Sequence, residues 1–124
     1  MDKIRIETGD ICLVAELNGS DTANGIYKML PLSGSANVWG DEIYFSIPFH
    51  LEQSPDARQE VEIGDLGFWP VGDAFCIFFG PTPVSNGEHP KAYSPVNVFG
   101  HIMGDAKILR KVSNGDEIKV TKEI

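Results

Sequence analysis

Cysteine is scarce in this chain. Only Cys12 and Cys76 occur among 124 residues, both inside apolar stretches. Two thiols in that setting do not make a disulfide scaffold or a cysteine-rich metal cage; each behaves as a small hydrophobe. Long apolar runs are missing too. No segment approaches the ~18 residues of a membrane-spanning helix, and the opening MDKIRIETGD lacks the basic-then-apolar design of a signal peptide. Positive charge is in short supply: Lys and Arg number 10 against 18 Asp and Glu, a net charge of -8. Affinity for a phosphate backbone comes largely from Lys and Arg, so this balance argues against nucleic acid and accounts for solubility instead. Together these absences predict a cytoplasmic protein without a nucleic-acid or membrane partner.

Motifs for metal and cofactor chemistry are absent as well. His50, His89 and His101 lie far apart, with no i, i+4 pair, so no metal is expected. There is no nucleophile elbow, phosphate loop or dinucleotide fingerprint, and hence no cofactor is expected. Any chemistry must come from residues that the fold brings together.

What the chain does have is a central stretch, Val61 to Pro83, built on the uncharged run Ala74-Phe75-Cys76-Ile77-Phe78-Phe79. That length and composition suit a strand buried on both faces. Phe68, Trp69, Pro70, Pro81 and Pro83 gather at its ends, where loops and pockets form. Before it, alternation at Ile4 and Ile6 and from Ile11 to Leu17 predicts a hairpin. Ser20-Asp21 caps a short helix through Ala23, Ile26, Tyr27 and Leu30, weakened by Gly25 and stopped by Pro31. Leu32 to Val38 is small and polar. Ile43 to Ile47 is a strand, Phe49 to Glu60 a surface connection, and Val61 to Ile63 a brief strand.

After the central run, Gly80 to Pro95 reads as a long loop of the kind that serves as lid or binding loop. Val96 to Ile102 is a strand, Asp105 to Val112 a closing helix with basic residues at its C-terminal end, and Ile118 to Ile124 a final strand. Gly-Asp recurs six times, at Gly9, Gly40, Gly64, Gly72, Gly104 and Gly115, as turns and caps. The sum is one mainly β domain over residues 1–124: seven or eight strands and two short helices, suited to a closed, mostly antiparallel barrel.

Candidate site residues are polar groups set among apolar strand positions. Asn97, Phe99 and His101 share one parity of a strand; Glu42 and Tyr44 share one parity of another. One reading turns these groups to solvent. The other sets Glu42, Tyr44, Asn97 and His101 along a groove on the sheet's outer face, with Trp39 and Trp69 at its edge and Phe79 adding apolar contact. His101 would then serve as acid or base near neutral pH, with Glu42 as its partner.

Three stretches, ANVWGDEIYFSIP, EIGDLGFWPVGDAFCIFFGPTP and SPVNVFGHIMGDAKILRKV, resemble the small bacterial and archaeal cyclophilin-like proteins, a family without an established activity. The resemblance covers nearly the whole chain. It implies a closed eight-stranded cyclophilin-like β-barrel capped by a helix at either end, with Phe99-Gly100 at the position of a strand-ending Phe-Gly of true cyclophilins. Those that isomerise prolyl bonds use an arginine in a Phe-His-Arg strand. The matching region here, Ile43 to Gln53, holds none, so the usual stabilisation of the twisted amide is missing. The leading expectation is a barrel that binds a small molecule or short peptide in an aromatic-edged groove without prolyl isomerisation. The alternatives are an enzyme on the same site, either a weak prolyl isomerase or a hydrolase using His101 with Glu42, and an interaction module using the 80–95 loop.

Overall fold

Strand β1 (Lys3–Thr8) buries Ile4, Ile6 and Thr8 and turns at Gly9-Asp10 into β2 (Ile11–Leu17), as the alternation predicts. The structure, a computed structural model, describes residues 2–124. Helix α1 (Asp21–Met29) starts where Ser20 Oγ accepts from the Ala23 N–H at 3.2 Å, and it buries Thr22, Ala23 and Ile26. Gly25, unfavourable for helix propensity, has a packing reason: a β-carbon there would overlap the Phe49 ring. Then come β3 (Leu32–Ser35), β4 (Asn37–Val38), β5 (Glu42–Ser46), β6 (Arg58–Glu60), β7 (Asp65–Trp69), β8 (Ala74–Phe78) and β9 (Lys91–Met103). A 3-10 helix (Ala106–Lys111), capped by Asp105, and β10 (Glu117–Lys122) follow.

Every strand pairing is antiparallel, in the order β3-β10-β1-β2-β9-β7-β8-β5-β4, with β6 added on β9. The mainly β expectation holds. The closed eight-stranded barrel does not: among the described residues there are ten strands, and the hydrogen-bonded ladder stays open between β3 and β4. Both ends belong to one segment, Leu32–Val38, whose small polar residues give no strand signal. Ala36 leaves the ladder at its middle, donating its N–H to the Asp116 carbonyl and accepting from the Gly115 N–H, each at 2.8 Å. The Val38 N–H is taken by Asn114 Oδ1 at 2.6 Å. The turn before β10 thus takes the backbone groups at the corner where β3 passes into β4.

Three further boundaries move. Val61 and Ile63 lie outside any strand, and the strand expected there is β7; the connection from Phe49 to Glu60 contains β6; and β9 begins at Lys91, inside the expected loop. The Gly-Asp steps do turn the chain. Gly9, Gly40, Gly64, Gly104 and Gly115 have positive φ, and at Gly72-Asp73 it is Asp73 that does.

All five residues of β8 are buried, as its uncharged sequence requires. One face sends Phe75 and Ile77 into the main core with Phe45, Phe68, Phe79 and Phe99. Phe75 stacks on Phe45 and meets Phe99 edge-on, both at 5.1 Å between centroids. The other face sends Ala74, Cys76 and Phe78 into a smaller cluster with Val61, Ala92 and Val96. Among the described residues, no helix is long and apolar enough to cross a membrane.

Candidate functional site

The smaller cluster is the floor of a cavity of about 170 Å³, lined by Trp39, Glu42, Tyr44, Trp69, Cys76, Ala92, Tyr93 and Val96. Glu42 and Tyr44 occupy alternate positions of β5, so both face away from the main core; Tyr44 lies opposite Cys76 on β8. Trp39 is held by a tight turn. Its N–H and carbonyl exchange hydrogen bonds with Glu42 at 2.9 and 3.2 Å, across Gly40 at φ 60°. The Asp41 N–H donates to the Pro81 carbonyl, and the Asp41 carbonyl accepts from the Phe79 N–H, each at 2.9 Å. Arg110 on the 3-10 helix donates to Asp41 Oδ2 through Nε and Nη2 at 3.1 and 2.9 Å, so the turn is pinned from two sides.

Trp69 ends β7 and donates its indole Nε1–H to Ser94 Oγ at 2.6 Å. Tyr93, on the first residues of β9, stands edge-on to both tryptophans: 6.2 Å and 68° from Trp39, 6.0 Å and 81° from Trp69. The three rings form walls at steep angles around an opening, an arrangement that aromatic quadrupoles favour.

Glu42 is the polar group of this site. It is only 6% exposed, and its Oε1 atom is buried without a hydrogen-bond partner. Burial pushes its carboxyl up to about 7, with the Cys76 thiol pulling the other way. The Cys76 thiol is in turn pushed well above its ordinary value, first by burial and then by the nearby Glu42 charge. No basic side chain lines the cavity. The three arginines are engaged elsewhere: Arg5 with Glu123, Arg58 with Asp65 and Arg110 with Asp41. A carboxyl in this state accepts from a donor or cation when ionised and donates when neutral.

Of the seven residues expected in the groove, the structure brings together Trp39, Glu42, Tyr44 and Trp69. The other three lie elsewhere. Phe79 is 1% exposed in the main core. Asn97 is a buried clasp: its Oδ1 accepts from Ser54 N and Oγ at 2.8 and 3.0 Å, and its Nδ2 donates to the Glu52 carbonyl and Thr22 Oγ1 at 3.1 and 3.3 Å. It ties β9 to α1 and to the connection after β5.

His101 does not meet Glu42. Its Nδ1 pairs with Asp65 Oδ1 at 2.8 Å, and it borders a separate hollow with Glu16, Leu17 and Met103. The shared parity of Asn97, Phe99 and His101 fails because of a bulge. Leu66 pairs with Gly100 and Gly67 with Val98, so Phe99 is the extra residue and the alternation reverses after it. Asn97 and Phe99 turn inward while His101 is exposed.

Tyr93, Cys76, Ala92 and Val96 complete the cavity and were not among the expected residues. The signal for Cys76 was present in β8, where alternate residues take opposite faces. Tyr93 was hidden in the expected loop.

The fold has a solved counterpart. The solution structure of a hypothetical protein of Archaeoglobus fulgidus is similar at a TM-score of 0.82, with 33% identity over 98% of this chain and 95% of that one. No curated protein matches the sequence. The cyclophilin-like family model matches residues 2–121, nearly the full length that the sheet and both helices occupy, and the chain therefore belongs to the cyclophilin-like family.

Proposed function

We propose that this protein binds a small organic molecule in the aromatic pocket between β5, β8 and β9, without isomerising prolyl bonds. The observation that carries the reading is Glu42. A buried carboxyl oxygen without a partner is costly in a folded protein and rare enough to require a reason. Here its residue lines an aromatic cavity, and a ligand donor reaching the carboxyl would satisfy it. The cavity is smaller than the roughly 300–1,000 Å³ that drug-sized ligands fill, which favours a compact molecule or one small headgroup. A short peptide would enter only by a single side chain.

The prolyl isomerase alternative lacks support from the lining residues, none of which is a cation able to polarise an imide. A docking role for the 80–95 stretch draws on the exposed Val84 and Tyr93. Tyr93, however, is already a wall of the pocket. A site in the cytoplasm fits the acidic, soluble composition.

The test is an NMR titration of labelled protein with a pooled set of small metabolites and then an Ala-Pro peptide. Shifts gathered on the Trp39 and Trp69 indoles and on Tyr93 are expected for at least one compound. Shifts confined to His101 and its surroundings would move the site to the other hollow. Exchange peaks between cis and trans peptide would overturn the non-isomerising reading.

A further inference from the structure

Resting on the pocket reading above, we infer that the ligand carries an organic ammonium group, its charge set on Glu42 and its alkyl shell against Trp39, Trp69 and Tyr93. Four observations converge. Glu42 Oε1 is the one buried side-chain oxygen or nitrogen without a partner among the described residues, and Glu42 is one of the residues that line this cavity. The rings around the opening are tryptophan and tyrosine, whose faces attract cations most strongly. No lysine, arginine or histidine lines the cavity to neutralise the carboxylate from within. The chain's net charge of -8 draws cations and repels anions.

Competing ligand classes fit less well. A hard metal ion needs six or more oxygens, and a softer one a set of nitrogen and sulfur ligands. The cavity offers one carboxylate, two phenols and a thiol that burial keeps protonated. A carboxylate or phosphate would meet Glu42 as a like charge. A neutral molecule of the same shape would fill the apolar walls but leave the buried charge without a counterion.

The charge requirement also sets a pH dependence. Tyr44, Cys76 and Tyr93 are the other titratable side chains on the lining, and none supplies a positive charge. Asp41, next in sequence, is already paired with Arg110. Ligand affinity therefore follows ionisation of Glu42 alone, weakening as pH falls through about 7. Binding at neutral pH releases protons.

The experiment compares choline with 3,3-dimethylbutan-1-ol, its uncharged isostere, on the full chain, using tryptophan fluorescence and calorimetry. Choline is expected to bind at least about tenfold more tightly than the isostere. Its affinity should fall as pH drops from about 8 to about 6, through loss of the ionised carboxyl. Glu42→Gln should remove the preference, so that choline and the isostere bind with similar affinity at every pH. The pH series on the unmodified protein stands even if that variant does not fold. An isostere that binds as well as choline at every pH would overturn the ammonium assignment and leave the pocket intact. No response from the indoles to either compound or to the metabolite pool would overturn the pocket itself. A trimethyl-lysine peptide binding more tightly than choline would reassign the same chemistry to a modified protein tail.

Discussion

Glu42 and Cys76 shift each other in opposite directions across the β5–β8 ladder. Tyr44 lies opposite Cys76, which puts Glu42 on the neighbouring diagonal of the same face. The neutral thiol eases ionisation of the carboxyl, while the carboxylate pushes the thiol further from ionising. Cys76→Ala should therefore raise the Glu42 titration midpoint above about 7, read from its side-chain carbon by NMR. A lower midpoint would mean that the alanine admits water to the floor.

A second prediction concerns stability. Glu42 ionises near 4.5 in an unfolded chain and near 7 in the folded one, so between these values the folded protein holds more protons and stability falls as pH rises. The full penalty, reached above about pH 7, is on the order of 3 kcal/mol. Glu42→Gln should melt higher than the unmodified protein at alkaline pH and lose most of that advantage near pH 4. Parallel melting curves at both extremes would contradict the burial of the Glu42 carboxyl.

Asn97 should matter for folding and not for the pocket. Asn97→Ala leaves the Ser54 N–H and Thr22 hydroxyl without their partner and costs about 1–3 kcal/mol. Denaturant unfolding checks the loss; the Trp39 and Trp69 indole signals should stay in place.

Gly64 carries φ 99°, and a β-carbon there would press on the His101 ring at 3.0 Å. Gly64→Ala should destabilise the chain by about 1–3 kcal/mol through backbone strain and displacement of the imidazole. Loss of the His101 Nδ1–Asp65 Oδ1 contact in the same variant, followed by the imidazole ring NMR signals, would show that Gly64 sets the position of that pair.

Phe78→Asp places an unpaired charge on a strand buried on both faces and should abolish folding. A soluble variant with native melting would contradict the two-sided burial of β8.

Where the sequence alternates cleanly, it was readable. β8 announced itself by six uncharged residues in a row, and the parity of Glu42 and Tyr44 put both on the outer face with Trp39 and Trp69 nearby. The missed features are local departures from alternation. A bulge at Phe99 leaves no mark in composition, so Asn97 is expected on the outer face with His101 although it turns inward. The early start of β9 was masked by Pro90 and Pro95. Its pairing with β6 is irregular between Arg58↔Val96 and Glu60↔Lys91, and the Gln59 amide fills in by donating to the Ala92 and Tyr93 carbonyls at 2.9 and 3.2 Å. Leu32–Val38 had no apolar rhythm, because half of it pairs with one strand and half with another.

That divided segment also bears on how molecules of this protein meet one another. An open sheet offers its outermost backbone groups to any strand that passes, and long edges template fibrils. Here the edge strands β3, β4 and β6 are four, two and three residues long, and β3 and β4 meet at a corner whose amide and carbonyl are already taken by the turn before β10. A neighbouring chain finds too few free groups in line to continue the sheet, so concentrated solutions should resist growth by strand addition although the ladder never closes.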